Sequence, residues 1–328
     1  VRIALIKSSS MGDVIHALPV VSDLLAALPG IEIDWLVEES FADLPRLHPG
    51  VDRTLTVAVR RWRRTPLSAA VRAEVKDLAR RLRERRYDLA LDLQGLIKSA
   101  WLARLTGAPI AGFDWGSARE PLASLAYRHR YPVPHDLHAI ERLRQLAGQA
   151  LGYSVDGLPR FDLRPPEIEL PWCPAPPYAV FLHATSRADK QWPAAHWVTL
   201  ATRLLARGVS VVLPWGSPAE QVQAQAIAQS VFGAPGATAI VVAPRLSLAE
   251  CASLLAGARM VAGVDTGLTH LAAALGRPTA ALFAATPGWR FGPYWSPCAA
   301  SLGELGVWPQ PDDVLAALMR LAAQPCPA

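Results

Sequence analysis

A two-domain α/β protein, each half a parallel sheet flanked by helices, is predicted by three features of this sequence. Short apolar runs alternate with helix-periodic segments, the 328-residue length exceeds what one core usually organises, and prolines crowd a segment near the middle. With 51% hydrophobic residues, core material suffices for both halves.

The first half opens on an apolar run at 3–6, closed by Ser8-Ser9-Ser10-Met11-Gly12-Asp13. Apolar residues then recur at Val14, Leu18, Val21, Leu24, Leu25 and Leu28, which reads as strand, loop and helix. Pro19 conflicts with that helix unless the regular turns begin near it, because its ring displaces a backbone hydrogen bond. Residues 31–37 and 89–93 read as buried strands, with an Arg-rich amphipathic helix over about 68–85 between them.

Six prolines fall within 164–177, a density that excludes a continuous helix or central strand. This divides a first domain, 1–165, from a linker at 166–177 and a second domain at 178–310. The second domain repeats the alternation, with strands at 178–182, 209–213, 239–242, 260–264 and 279–283. Its helices lie at 194–207, stopped by Gly208, from about 220, and from the capping sequence Ser247-Leu248-Ala249-Glu250. A last helix at about 312–323, within 311–328, is expected to pack back on the first domain.

The balance of 33 Lys+Arg against 28 Asp+Glu gives a net charge of +5, too small to imply nucleic-acid binding without a concentrated stripe. Cys173, Cys251, Cys298 and Cys326 are scattered without metal-ligand spacing, which fits a reducing compartment and no structural zinc. No uncharged stretch reaches the roughly 18 residues of a membrane helix. These features together predict a cytosolic chain with no spanning segment.

Ligands of parallel sheets bind beyond the carboxyl ends of strands, where helix N-termini present unpaired N–H groups and roughly half a unit of positive charge. Asp265-Thr266-Gly267-Leu268-Thr269-His270 occupies such a position. Gly267 allows close approach of a phosphate, and the hydroxyls of Thr266 and Thr269 add donors; an ordinary helix cap is the competing reading. Asp265 needs a partner, for which a cap, a sugar hydroxyl or His270 are candidates. Thr185, Ser186 and Lys190 follow the first strand of the same domain and should reach the same crevice, Lys190 to meet a departing diphosphate. A solvated surface lysine is the plainer alternative. Glu220 suits ribose hydroxyls, or a first helical turn.

In the first domain Asp13 is a candidate general base at a helix start, where a cap is the commoner role. The cluster Arg60-Arg61-Trp62-Arg63-Arg64 is densely cationic, with Lys98, Arg119 and Arg142 elsewhere in the domain. Arg binds carboxylate and phosphate bidentately. The cluster suits an acidic acceptor or an anionic membrane surface, with a solvated face as the default.

Taken together these segments resemble the bacterial ADP-heptose:lipopolysaccharide heptosyltransferases of glycosyltransferase family 9. The resemblance is carried by Lys7 with Ser9-Ser10-Met11-Gly12-Asp13-Val14, Asp34-Trp35-Leu36-Val37-Glu38-Glu39, Gln94-Gly95-Leu96 with Lys98-Ser99, and Ala118-Arg119-Glu120-Pro121. In the second half it rests on His183-Ala184-Thr185, Asp189-Lys190, Leu213-Pro214-Trp215-Gly216 and Val264-Asp265-Thr266-Gly267-Leu268 with His270. Ser186 stands where the family often has Thr, and Phe283-Ala284-Ala285-Thr286-Pro287 departs from a Gly-Pro-Thr-Asp-Pro-like loop.

The resemblance implies a GT-B fold of two Rossmann-like domains facing a central cleft, and inverting transfer of L-glycero-D-manno-heptose from ADP-heptose to Kdo of a Kdo2-lipid A acceptor. The enzyme would be peripheral on the cytoplasmic face of the inner membrane, without metal or cofactor. By likeness Asp13 is the base, and Thr185, Ser186, Lys190, Glu220, Asp265, Thr266, Gly267 and His270 hold the donor. Ser9, Ser10, Gly12, Arg60, Arg61, Arg63, Arg64, Lys98, Arg119 and Arg142 face the acceptor. Two alternatives stay open: an enzyme of this family adding the second heptose, and a non-catalytic nucleotide- or glycan-binding protein.

Overall fold

A computed structural model describes residues 1–185, 187–231 and 239–326 and divides into two compact units, Val1–Arg164 and Pro165–Ala328. The first unit holds six parallel strands, β1 (Arg2–Ile6), β2 (Glu32–Glu38), β3 (Arg53–Val57), β4 (Leu89–Asp92), β5 (Ile110–Phe113) and β6 (His129–Tyr131), in the order β3-β2-β1-β4-β5-β6. The second holds β7 (Tyr178–Leu182), β8 (Ser210–Leu213), β9 (Ile240–Val242), β10 (Met260–Val264), β11 (Thr279–Leu282) and β12 (Ala299–Leu302), parallel in the order β12-β11-β10-β7-β8-β9. Both windings are Rossmann-like. Chain order reverses beside the first strand of each unit, at β1/β4 and at β7/β10, and the loops leaving those pairs flank a ready-made crevice.

The central strands carry the apolar runs the sequence showed, and β1, β7 and β10 are buried almost throughout. Side chains of the helices Ala194–Leu205 and Pro311–Ala322 close over the second sheet, where Trp197, Leu200, Leu204, Val314 and Leu318 join one core with Phe181 and Ala262. The C-terminal helix buries its apolar face in the second unit. Its stripe of Val314, Leu315, Leu318 and Leu321 matches the open side of that sheet.

Pro19 does not mark a helix start. The helix runs unbroken over Met11–Ala27 with Pro19 buried inside it. An interior proline costs about 3 kcal/mol, and burying two side chains such as Val14 and Leu18 offsets that at roughly 1.5–3 kcal/mol each. Cys298 and Cys326, 28 residues apart, form a disulfide with Cα atoms 5.8 Å apart, while Cys173 and Cys251 are free thiols. Pairing across such a separation leaves no spacing signature in a sequence. Among the described residues no helix is long and apolar enough to cross a membrane.

Candidate functional site

In the second unit the segments after β7, β10 and β11 bring together four residues. The Lys190 ammonium donates to Asp265 Oδ2 at 2.6 Å, and the Thr286 hydroxyl donates to the same oxygen at 2.6 Å. His270 Nε2 stands 3.3 Å from Asp265 Oδ1. Asp265 thus has three partners. Burial alone would raise its pKa, but His270, Lys190 and Thr286 outweigh burial and hold the carboxyl well below the usual carboxylate range. Its charge in turn neutralises Lys190 and keeps that ammonium at the mouth of the crevice.

Thr266 is the N-cap residue of the helix Gly267–Ala274, and Gly267 is its first residue. The backbone amides of Thr266 and Gly267 and the aligned helix dipole favour an anion there. Thr269, expected to add a donor, does not: it is buried and its hydroxyl donates to the Val264 carbonyl at 2.7 Å. That hydroxyl lies against Gly263, where a Cβ would collide with it, so the pair sets how closely the helix seats on β10. Thr185 is half-buried just beyond β7, and Ser186 lies outside the described residues. The Glu220 carboxylate accepts from the Gly216 amide at 2.7 Å while the Ser217 hydroxyl caps the same helix. His183, fully buried, stands 3.2 Å from the Glu220 carbonyl through Nε2, and burial lowers its pKa.

The first unit builds its site at β1/β4. Asp13 Oδ2 accepts from the Ser10 amide at 2.9 Å and from the Ser10 hydroxyl at 2.7 Å, the geometry of a helix cap. Its Oδ1 has no hydrogen bond among the described residues. Burial pushes the Asp13 pKa up, but the Lys7 charge and the Ser10 hydrogen bonds prevail and hold it below its ordinary value. Lys7 is itself buried and donates to the Leu93 carbonyl at 3.0 Å; burial lowers its pKa against the pull of Asp13 and Asp92. The structure therefore supplies Asp13 with a cap role and a fixed counter-charge together.

Asp92, fully buried at the end of β4, organises the second loop. It accepts from the Gln94 and Gly95 amides, the Ser99 hydroxyl at 2.8 Å and the Tyr127 hydroxyl at 2.6 Å. Gly95 has φ +67°, and a Cβ there would crowd Phe113 and the Arg119 amide. So anchored, Gln94 Oε1 accepts both the amide and the hydroxyl of Ser8 at 2.8 Å, and Lys98 donates to the Ser9 hydroxyl at 2.8 Å. Ser9, Ser10, Gly12, Asp13 and Lys98 are thus gathered, and Arg119 is close enough for its charge to act on Asp13.

The remaining arginines are more dispersed in role. Arg61 is held by Glu39 and Glu74, and Arg60 lies over the Phe41 ring. Arg142 donates to the Pro134 and Ser117 carbonyls and stacks on Phe113, a tether for its own loop. Arg63 and Arg64 are exposed and have no ion pair among the described residues. Thr286, Asp92 and Tyr127 were not singled out from sequence. The departure of the 283–287 loop from the family pattern was visible, but not that it keeps a threonine aimed at Asp265.

A family model described as "Glycosyltransferase family 9 (heptosyltransferase)" matches residues 75–313. Lipopolysaccharide heptosyltransferase 1 of Pseudomonas aeruginosa is 50% identical over 295 residues, 88% of this chain and 80% of that protein. Two solved structures of the E. coli heptosyltransferase WaaC are similar. The one with ADP has a TM-score of 0.87 at 39% identity, covering 98% of this chain and 100% of the other. The one with ADP-2-deoxy-2-fluoro heptose has a TM-score of 0.83 at 38% identity, covering 98% of each.

Proposed function

We propose, from the premise that the chain belongs to glycosyltransferase family 9, that it transfers a heptosyl group from ADP-heptose during assembly of the lipopolysaccharide inner core. The observation that carries the reading is the Lys190–Asp265 pair, 2.6 Å apart beside the N-terminus of helix Gly267–Ala274. It sits at the crevice of a Rossmann-like sheet in a chain similar to an enzyme solved with an ADP-heptose analogue. The name of the Pseudomonas aeruginosa relative, heptosyltransferase 1, supports the first heptose over the second; the acceptor we propose for it is Kdo of Kdo2-lipid A.

The reaction is a single displacement. Asp13 Oδ1 takes the proton of an acceptor hydroxyl, whose oxygen forms a bond to the anomeric carbon on the face opposite the leaving group. The bond from that carbon to the diphosphate oxygen breaks, and configuration inverts. Negative charge grows on the departing ADP, and the Lys190 ammonium and the amides at Thr266 and Gly267 receive it. Thr185, Glu220 and His270 complete donor binding, Glu220 towards the ribose. The depressed pKa of Asp13 keeps it ionised near neutrality, which secures the base form at the expense of proton affinity.

The first unit receives the acidic head of the acceptor through Lys98, Arg119, Arg63 and Arg64. A lipid acceptor places the enzyme at the cytoplasmic face of the inner membrane as a peripheral protein. Purified protein given ADP-heptose with either Kdo2-lipid A or its heptosylated form tests the reading. Product from the first alone is expected; product from the second alone assigns the second heptose, and ADP binding without product from either refutes transfer.

A further inference from the structure

The first unit contains a cavity of about 980 Å³ whose apolar wall has no role in the reaction above, although Arg63 and Lys98 stand at its rim. Its wall is largely apolar, formed by Val71, Val75 and Ala79 of the helix Ala69–Glu84 and by Trp62 and Trp101. The two tryptophans meet edge to face at 6.3 Å. Trp62 turns its N–H outward to Glu74 at 2.8 Å, leaving ring carbon towards the cavity. Trp101 and Ile97, on the same short helix, are 41% and 51% exposed and both line the cavity, so its apolar wall runs on to the surface.

The rim is cationic. Arg63, Arg72, Lys76 and Lys98 all line the cavity, and none has an ion pair among the described residues. Glu120 is the acidic residue of the lining, and its Oε2 already accepts from the Ile97 amide at 2.7 Å. An apolar interior with a positive mouth selects an amphiphile with an anionic head. Lys98 also fixes the direction of that head: it lines the cavity and donates to the Ser9 hydroxyl, next to the Ser10–Asp13 cap. Lys98 thereby links the rim of the cavity to the segment that carries the candidate base.

We infer that this cavity binds an acyl chain of the anionic glycolipid acceptor, while Arg63 and Lys98 meet the acidic groups of its head. The inference rests on the acceptor reading above and adds to it a second recognition element, for the lipid rather than the sugar. An apolar cavity wall has little to gain from the sugar head alone, whereas each methylene buried from water is favourable.

The test compares kcat/KM for Kdo2-lipid A in detergent with that for its fully deacylated form, in the wild type, in Trp101→Ala, which removes one wall, and in Val75→Phe, which fills the interior. Wild type should favour the acylated acceptor by roughly tenfold or more, the factor that burying two methylenes gives. Both variants should erase that preference through KM for the acylated form, with the deacylated acceptor used as before. Equal use of both acceptors by wild type, or equal loss on both in the variants, overturns the inference. A separate arm measures sedimentation with phosphatidylglycerol vesicles lacking acceptor. If the variants lose vesicle binding yet wild type shows no acyl preference, the surface is a general membrane anchor and the acceptor assignment falls. If wild type turns over neither acceptor, the transferase reading fails first.

Discussion

Replacing Asp265 with Asn removes one charge and leaves the shape of the side chain. In the native protein this carboxylate accepts from Lys190 and Thr286 at 2.6 Å each and lies 3.3 Å from His270. The Lys190 and Asp265 side chains are 17% and 11% exposed, so solvent screens the pair only weakly. A hydrogen bond to a charged group contributes about 1.5–3 kcal/mol, and the variant should lose about 2 kcal/mol. For a unit of this size each kcal/mol corresponds to about 2–4 °C, so unfolding of the second unit should move down by about 4–8 °C at pH 7. The pH dependence follows from the depressed pKa. The unfolded carboxyl titrates near 3.9, so the stabilisation is fully present above about pH 4 and is lost as pH falls further towards the folded pKa. Calorimetric scans from pH 7 to pH 3 should therefore show a gap between wild type and Asp265→Asn that holds down to about pH 4 and narrows, without closing, by pH 3. Identical melting at pH 7, or a gap that stays constant to pH 3, would refute the assignment of Asp265 as the charged hub of the cluster.

Other consequences are as specific. Lys190→Ala should lower kcat/KM for ADP-heptose by roughly 30- to 100-fold, as loss of a charged contact to the leaving group predicts, read in initial-rate assays over donor concentration. Thr286→Val keeps volume but removes one donor to the Asp265 carboxylate; a hydrogen bond to a charged group, about 1.5 kcal/mol at the low end, predicts roughly tenfold weaker ADP binding by calorimetry. Gly112→Ala would place a Cβ 2.5 Å from Cε2 of Tyr127, a ring pinned by its hydroxyl bond to Asp92. Overpacking of this kind costs about 1–3 kcal/mol and should lower the urea midpoint of the first unit while ADP binding is retained.

The fold was legible because buried parallel strands write themselves as apolar runs, as at 3–6, 178–182 and 260–264, and because Gly208 and the Ser247–Glu250 cap punctuate helices. Strands β3, β6 and β12 were not, since their half-exposed residues carry no continuous run. Likewise the four-residue β5 contains a glycine. Pro19 misled for a different reason: local propensity marks a break, and the packing of a buried helix overrides it. At the site, Lys190, Asp265 and His270 were visible as polar residues at strand ends. Their mutual contact was not, because Lys190 and Asp265 are 75 residues apart and only the β7–β10 pairing brings their loops together. Asp92 and Tyr127 escaped notice because a buried polar network has no local pattern; it exists only where β4, the helix Ile97–Leu105 and the segment Pro121–Ala126 meet. The Thr269 hydroxyl shows the converse, a residue well placed in the motif whose rotamer turns it inward.

The division of labour between a proton-accepting carboxylate and a separate donor site is tested most directly by Asp13→Asn, with ADP affinity and the rate of heptosyl transfer measured on the same preparation. Asparagine can still accept from the Ser10 amide, so the helix cap and the fold should survive. ADP should bind with unchanged affinity while transfer falls by at least about 100-fold, within the range for loss of a general base. Transfer at near the wild-type rate with ADP binding intact would contradict the role given to Asp13.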